Sequence, residues 1–275
     1  MKRRTNGNRS RRKARILSQF LFLLSAFTVG MAAIMLYVGY QFMQSEFPDV
    51  SVLRSSYPVV EYHPGAELPQ IRIQHVRPAG WVGADEVSNV ALGAIIVSED
   101  WAFYQHKGYD ANQIKEAIET DFMRGGFARG ASTITQQVVR NVFLDKDKNL
   151  WRKVKELILS VRLERAVGKT RILETYLNIA EWGDGIFGIG AASRLYFNKS
   201  PSQLTAKEGA FLAMLLPSPK KYSQSFRKRE LTDYARQTVD SILDKMTRAQ
   251  YITEQERDRQ LALPLPFEKP SSNSL

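Results

Sequence analysis

The chain has 275 residues, of which 44% are hydrophobic and 24% charged, enough to bury the core of one large or two small domains. It contains no cysteine, which excludes disulfide bonds and thiolate metal sites. The formal net charge of +11 is unevenly placed, because eight positive charges and no acidic residue lie in the first 15 residues. Such a basic arm could indicate nucleic-acid binding, but the segment that follows it argues otherwise.

Residues 16–45 contain no charged side chain, and Phe20–Tyr40 is nearly all apolar. About 20 apolar residues cross a bilayer as a helix, so 16–45 is predicted to be a transmembrane helix. A cleaved signal peptide is the alternative, but it would need a small-residue cleavage site, which Gln41–Glu46 does not offer. Because Lys and Arg stay on the cytoplasmic side, residues 1–15 are predicted to be a basic cytoplasmic arm and the rest of the chain to lie outside.

Three further divisions follow from composition and periodicity. Residues 46–85 contain several prolines and little helical periodicity, which predicts a juxtamembrane segment in which Gln70–Val76 forms a strand. Residues 86–263 show repeated helical patterns and are predicted to be one domain. Residues 264–275 are rich in Pro and Ser and are expected to be a flexible tail.

Two adjacent carboxylates, Glu99 and Asp100, directly follow an apolar helical run at Val87–Val97. Burying charge in such a place is costly unless the charge is paired or used. Desolvation would raise a carboxyl pKa toward the range of a general acid or base. Successive helical positions point about 100° apart, so only one of the pair is expected to face a substrate, and we predict that it is Glu99.

The segment after these carboxylates combines glycines with a helix start. Gly125–Gly130 is either an ordinary glycine-rich loop that ends one helix before the next or a mobile flap over a cleft. Ser132 or Thr133 then caps a helix, whose N-terminus is either an ordinary cap or a site for an anion.

The next helix, Leu150–Ala166, is predicted to turn four apolar side chains to the core, namely Val154, Leu157, Ile158 and Val161. Its basic side chains lie within about one turn of Glu156. Such groups are most often surface ion pairs of little worth. The functional interpretation is that they form part of a cationic patch that binds a multiply charged leaving group. The patch would consist of Arg140, Lys148, Arg152 and Lys153.

Five blocks, in order and spacing, resemble the peptidoglycan glycosyltransferases of family 51. They are E-D-x-x-F-x-x-H-x-G at Glu99–Gly108, G-x-S-T-I-T-Q-Q at Gly130–Gln137, R-K-x-x-E at Arg152–Glu156, I-L-E-x-Y-L-N at Ile172–Asn178 and G-x-x-A-A-x-x-Y-F around Gly188–Phe197. The likeness covers about residues 85–222. We expect the monofunctional, membrane-anchored type, since little chain is left for a transpeptidase domain.

The resemblance implies a mainly α-helical, lysozyme-like glycosyltransferase domain of two lobes, preceded by a single transmembrane helix in the bacterial inner membrane. It implies polymerisation of lipid II into linear glycan strands, with inversion at the anomeric carbon and release of undecaprenyl diphosphate. The implied partners are lipid II, the growing lipid-linked glycan, the membrane, and cell-wall synthesis or division proteins, without nucleic acid. No cofactor is expected to be obligatory and no protein metal site is expected, although the diphosphate leaves room for a divalent cation, Mg or Mn.

By position in the motifs, the resemblance implies that Glu99 is the general base that deprotonates the acceptor hydroxyl. Glu156 is the second catalytic carboxylate, which orients basic side chains or helps to hold a divalent ion. Glu174 and Asn178 are expected to hold the cleft together, and His106 to be structural. The residues expected to bind substrate are Asp100, Ser132, Gln136, Gln137, Arg140, Lys148, Arg152 and Lys153.

Two positions depart from the family pattern. Ala131 stands where a second glycine is common, and Arg140 stands where a lysine is common, which keeps the charge but changes its geometry. We expect activity to survive both.

The alternatives are a lysozyme-like or lytic enzyme that cleaves peptidoglycan, and a non-catalytic membrane-anchored scaffold of the same fold. The cationic patch argues against cleavage, because a neutral polymer has no diphosphate to bind.

Overall fold

A computed structural model describes residues 5–62, 69–112, 115, 132–145 and 149–269. It divides into two compact units, Met1–Pro48 and Asp49–Leu275. The first is helical, and the second consists mostly of helices with four short strands in its described part. This confirms the predicted fold class, a mainly α-helical domain behind one N-terminal apolar helix.

The first unit contains helix α1, Thr5–Glu46. Within the described residues it is the one helix long and apolar enough to cross a membrane by length and composition, with a mean hydropathy of 2.2 over its apolar window. The apolar side chains between Ile16 and Met43 are exposed, as a lipid-facing helix requires. Residues 5–15 of the basic arm continue the same helix, because no proline or capping residue separates them from the apolar segment.

The second unit starts with a 3₁₀ turn, Val50–Arg54, and an antiparallel hairpin of β1 (Tyr57–Glu61) and β2 (Gln70–Gln74). Strand β2 confirms the strand predicted there. The structure differs from the predicted domain boundary at residue 86, since the chain joins the folded unit from Asp49 onward. Arg171 explains the difference: its guanidinium donates to the carbonyls of Leu53 (3.0 Å) and Ser56 (2.8 Å).

The remaining helices and strands follow in chain order. They are α2 (Asn89–Glu99), α3 (Ile134–Phe143), α4 (Leu150–Val167), α5 (Lys169–Ile179), β3 (Glu181–Gly183), β4 (Ile186–Phe187), α6 (Ile189–Phe197), α7 (Ala206–Leu215), α8 (Pro219–Tyr222), α9 (Gln224–Lys228), α10 (Asp233–Arg248) and α11 (Glu254–Ala262). Strands β3 and β4 pair antiparallel, and short 3₁₀ turns cover Ala84–Glu86 and Pro201–Gln203. The Gly125–Gly130 segment lies outside the described residues.

The centre of the core is the close packing of α2 against α7. Every residue of α7 is buried, as are Ala91 and Ala94 of α2. A Cβ added at Gly209 would lie 2.6 Å from the Cα of Ala91, so the two helices approach as closely as they do because Gly209 has no side chain. This packing holds α2 rigidly, and the C-terminus of α2 carries the acid pair.

Helix α4 buries a different face from the one predicted. The buried residues are Glu156, Leu159, Ser160 and Leu163, whereas Val154 and Ile158 are exposed. The prediction was wrong because it counted apolar spacing alone. Glu156 is fully buried because two basic side chains of its own helix neutralise it, so a polar position became part of the interior.

The predicted flexible tail is packed where the structure describes it. Leu265 is buried, and the ring of Phe267 lies 5.0 Å from that of Phe211 and 5.4 Å from that of Phe226. The backbone N–H of Lys269 also donates to the carbonyl of Arg229 (3.1 Å). The aromatic contacts therefore order the chain as far as Lys269, although the Pro and Ser content predicted a flexible segment.

Candidate active site

The C-terminus of α2 places the two adjacent carboxylates in different surroundings. Helix α2 begins after Ser88, whose hydroxyl caps the Ala91 N–H, and it ends at Glu99 with Asp100 as its C-cap. Asp100 is buried, while Glu99 is half-buried. The two acids are therefore not equivalent, and Glu99 is the one that a substrate can reach.

Two side chains bind one oxygen of the Glu99 carboxylate. Oε2 accepts a hydrogen bond from Nε2 of Gln137 (2.8 Å) and lies 3.4 Å from the hydroxyl of Tyr176, which donates to it. Burial raises the pKa of Glu99, against the opposing effects of these two hydrogen bonds and of the positive charge of Arg140. The result is a carboxylate more basic than an exposed glutamate, as a general base requires.

Asp100 is buried and links the end of α2 to the start of α3 and to His106 by hydrogen bonds. Its Oδ2 accepts from the backbone N–H of Ile134 (2.9 Å), and His106 Nε2 lies 2.9 and 3.0 Å from its two oxygens. Since His106 Nδ1 accepts from the N–H of Gly108 (3.1 Å), the ring proton is on Nε2 and donates to Asp100. The substrate-binding role predicted for Asp100 does not fit its burial. The structural role expected for His106 fits its hydrogen bonds to Asp100 and Gly108.

The start of α3 is built into this network. Thr133 is its N-cap, and Oε1 of Gln136 accepts the Thr133 N–H (2.9 Å), which closes a capping box. The N-terminus of α3 therefore binds a carboxylate of the protein, since the first N–H of the helix, that of Ile134, donates to Asp100. Gln136, predicted to bind substrate, is buried in the cap, and its Nε2 has no hydrogen-bond partner within the described residues.

A second group forms around Glu156. Oε2 of Glu156 accepts from Arg152 Nη1 (2.9 Å) and Oε1 from Lys153 Nζ (2.5 Å). Lys153 Nζ also donates to the hydroxyl of Ser132 (3.3 Å) at the start of α3. The side chain of Lys153 is 39% exposed, so its charge remains available to a ligand. The structure brings together Glu156 and three of the predicted substrate-binding residues.

Helix α3 connects the two groups. Ser132 just before it meets Lys153, and Gln137 within it meets Glu99. Ser132 lies two residues before the first residue of α3, and Gln137 lies in the first turn of the helix. Arg140 follows Gln137 by about one turn, and its charge acts on Glu99. Lys148 and Ala131 lie outside the described residues.

The Glu156 group does not fit a resident divalent cation. Both of its oxygens already accept from cationic side chains, whereas magnesium prefers several oxygen ligands. Among the residues that the structure describes, no group of three or more His, Asp or Glu could hold a metal.

Glu174 and Asn178 on α5 hold a neighbouring loop. Oε1 of Glu174 accepts from the indole N–H of Trp81 (2.5 Å) and is paired with Arg171. The Asn178 side chain bonds both the N–H (2.9 Å) and the carbonyl (2.8 Å) of Val82. These contacts fit the structural role expected for both residues.

Sequence reasoning missed Tyr176 as a site residue. Its ring is buried, as the apolar periodicity of α5 would suggest. The signal that could have found it is its hydroxyl, because a buried phenol needs a polar partner. Here that partner is Glu99, 77 residues earlier in the chain.

A cavity of about 980 Å³ lies elsewhere, between β1, the loop before α2 and the start of α6. Its lining includes Val60, Trp81, Phe187 and Arg194 but neither Glu99 nor Glu156. It therefore does not enter the chemistry of the site.

A mainly helical domain with a half-buried carboxylate of raised pKa and a separate pair of cations fixed by a buried glutamate has the features of a group-transfer enzyme. A family model described as "Transglycosylase" matches residues 65–247, more than half of the chain. The chain belongs to this family and is a glycosyltransferase.

Two relatives with the same printed name are similar to the chain over about two thirds of their own lengths. The biosynthetic peptidoglycan transglycosylase of Paraburkholderia phytofirmans is 41% identical over 170 residues, which are 62% of this chain and 69% of that protein. The protein of that name from Paraburkholderia xenovorans is 44% identical over 158 residues, 58% of this chain and 64% of that protein. Penicillin-binding protein 1F of Bacillus subtilis is 38% identical over 205 residues, 74% of this chain but 28% of that protein.

Proposed function

We propose that this chain is a peptidoglycan glycosyltransferase that polymerises lipid II into linear glycan strands, inverts the anomeric carbon and releases undecaprenyl diphosphate. The observation that carries the proposal is the state of Glu99: a half-buried carboxylate with a raised pKa and one oxygen bound by Gln137 and Tyr176. The family membership and the names of the relatives support the substrate class.

In the proposed step, Glu99 removes the proton from the acceptor hydroxyl as that oxygen attacks the anomeric carbon of the donor. The new carbon–oxygen bond forms on the face opposite the leaving group, which accounts for inversion. The bond from the anomeric carbon to the diphosphate oxygen breaks, and the electron pair leaves on the diphosphate. Such a leaving group departs without a protonating acid when positive charges stabilise it.

Arg152 and Lys153 supply that positive charge in the proposal, and Arg140 and Lys148 add to it. Glu156 holds the first two by ion pairs from a fully buried position, so its role is to orient cations rather than to attack or protonate the sugar. Ser132 binds the same anionic group in the proposal, and its contact with Lys153 supports this role.

The membrane helix fits a lipid-linked substrate, since it confines the enzyme to the surface that carries the lipid. We propose a single-pass protein of the bacterial inner membrane with a cytoplasmic N-terminus, in accordance with the basic arm. Lipid II, the growing glycan and the membrane are its proposed partners, and proteins of cell-wall synthesis or division are further ones.

Incubation of the full chain with purified lipid II tests the proposal. Glycan polymer should appear, and Glu99→Gln should lower its rate by about 10²–10⁴-fold, as loss of a general base does. Glu254→Gln, an exposed position at the start of α11, is the matched control and should keep the wild-type rate. Cleavage of mature peptidoglycan without polymerisation would show that the chain is a lytic enzyme. Full activity of Glu99→Gln would show that Glu99 is not the general base.

A further inference from the structure

The two oxygens of the Glu99 carboxylate have different surroundings. Oε2 is held by the amide of Gln137 from α3 and by the phenol of Tyr176 from α5. Oε1 has no hydrogen-bond partner among the residues that the structure describes, and the side chain is half-buried rather than enclosed. One oxygen is thus fixed by the protein, and the other is left for a ligand.

We propose that Oε1 of Glu99 is the atom that takes the acceptor's proton, and that Gln137 and Tyr176 are positioning residues that hold Oε2. This inference rests on the proposed function and refines it. The O–H bond of the acceptor breaks, the proton goes to Oε1, and the oxygen keeps the electron pair with which it attacks the donor carbon. No other reactant is needed.

The contact between the two positioning residues supports this arrangement. The hydroxyl of Tyr176 lies 3.4 Å from Oε2 of Glu99 and 3.5 Å from Oε1 of Gln137, so the three side chains form a triangle. They come from α2, α3 and α5, three separate helices. A carboxylate fixed from two sides cannot rotate freely, which keeps its second oxygen in one direction.

The protonation state of Tyr176 excludes the reverse assignment, in which the phenol is the base. Burial, together with the negative charge of Glu99, raises the pKa of Tyr176 well above its ordinary value. The phenol therefore keeps its proton over the working pH range and acts as a donor. A donor at Oε2 stabilises the ionised form of Glu99, which is the form that a base must have.

The other charged groups that act on Glu99 are Arg140 from α3 and Asp100 next to it in the chain. The charge of Arg140 lowers the pKa of Glu99, and that of Asp100 raises it. Asp100 is occupied by Ile134 and His106. Gln137 and Tyr176 are the two side chains that donate hydrogen bonds to the Glu99 carboxylate, so substituting either one removes a direct contact.

The experiment measures kcat and KM for lipid II against pH, in the full chain and its variants. Tyr176→Phe removes one donor, so the pKa of Glu99 should rise and the pH range over which kcat increases should move upward. We expect a loss of about tenfold in kcat at mildly acidic pH, typical of one hydrogen bond to a charged group, that narrows as the pH rises. KM should stay within about twofold, since the side chain of Tyr176 is buried and has no exposed surface to offer the substrate.

Gln137→Met is the second variant, because it removes the other donor at similar volume and should shift the same pH range upward. Tyr196→Phe is the matched control: it removes a buried hydroxyl that donates to the carbonyl of Trp182 (2.8 Å), away from Glu99. It should lower stability without moving the pH profile. Circular dichroism confirms that each variant is folded.

The outcomes separate the inference from the proposed function. If the wild-type chain makes no glycan from lipid II, the proposed function fails. If it makes glycan but both variants keep the wild-type pH profile, the positioning role fails alone. A raised KM for Gln137→Met with an unchanged pH profile would make Gln137 a substrate contact and overturn its place in the triangle.

Discussion

At the scale of single residues, Glu99 and Asp100 show how burial and partners give two neighbouring acids different properties. Asp100 accepts from the backbone of Ile134 and from His106, and these contacts offset the cost of its burial. Glu99 has weaker compensation, so its burial raises its pKa. A raised pKa makes a better base and also a less stable folded state, because the charged form is the one that burial disfavours.

Glu99→Gln is therefore expected to stabilise the fold at neutral and alkaline pH. The folded-state pKa of Glu99 lies above the unfolded one, so the carboxyl group lowers stability as the pH rises from the unfolded value to the folded value, and the full cost is present above the folded value. The gain should vanish below the ordinary glutamate pKa of about 4, where both states are protonated. Thermal unfolding against pH checks this, and a variant less stable than wild type at alkaline pH would contradict it. Glu254→Gln, which removes an exposed carboxyl group, is the matched control.

Glu156 leads to a prediction about metal ions. Its two oxygens are bound by Arg152 and Lys153, so a divalent ion would have to displace a cation that is already in place. We expect polymerisation of lipid II to persist in the presence of a chelator, with a change in rate of less than about threefold, equal to under 1 kcal/mol. A complete loss that added magnesium restores, with the fold unchanged by circular dichroism, would show that a divalent ion is required at the diphosphate.

At the scale of elements, the loop after α2 is fixed by close packing on α4. Gly108 has a φ of +104°, and a Cβ added there would lie 2.7 Å from the carbonyl carbon of Ser160. Its own carbonyl accepts from the hydroxyl of Thr133 (2.8 Å), the N-cap of α3. One glycine thus sets the distance between the acid pair, the start of α3 and the helix that carries Glu156.

Gly108→Ala is predicted to destabilise the protein by about 3 kcal/mol, from the left-handed backbone and the clash with α4 together. Gly168→Ala is the matched control. Gly168 also has a positive φ, +85°, but nothing lies within 4 Å of its added Cβ, so only about 1 kcal/mol of backbone strain is expected. Chemical denaturation measures both. Equal losses at the two positions would show that the contact with Ser160 does not matter.

Helical periodicity predicted most of these elements, since α2, α3, α5 and α10 bury the apolar stripes that their sequences contain. It also led to the unequal roles of Glu99 and Asp100. It failed where burial depends on pairing between distant residues. The Asp100–Ile134 bond spans 34 residues and the Tyr176–Glu99 bond 77, and no local pattern encodes either. The buried face of α4 was missed for a related reason, because ion pairing made the buried Glu156 tolerable.

At the scale of the whole molecule, charge and hydrophobicity are separated along the chain. Eight of the net eleven positive charges precede a segment of 30 uncharged residues, and the catalytic unit that follows is close to neutral for its size. A membrane potential and anionic lipids on the cytoplasmic side both favour keeping such an arm inside. The glycosyltransferase unit would then lie on the outer face of the membrane.

The absence of cysteine makes this orientation directly measurable with single introduced cysteines. Ser10→Cys marks the basic arm, and Ser241→Cys marks an exposed position on α10. In intact cells whose outer layers admit small reagents, a maleimide that cannot cross the inner membrane should label residue 241 and leave residue 10 unlabelled. After permeabilisation both should react, which controls for accessibility. Labelling of residue 10 but not residue 241 in intact cells would reverse the orientation and separate the catalytic unit from an acceptor glycan on the outer face.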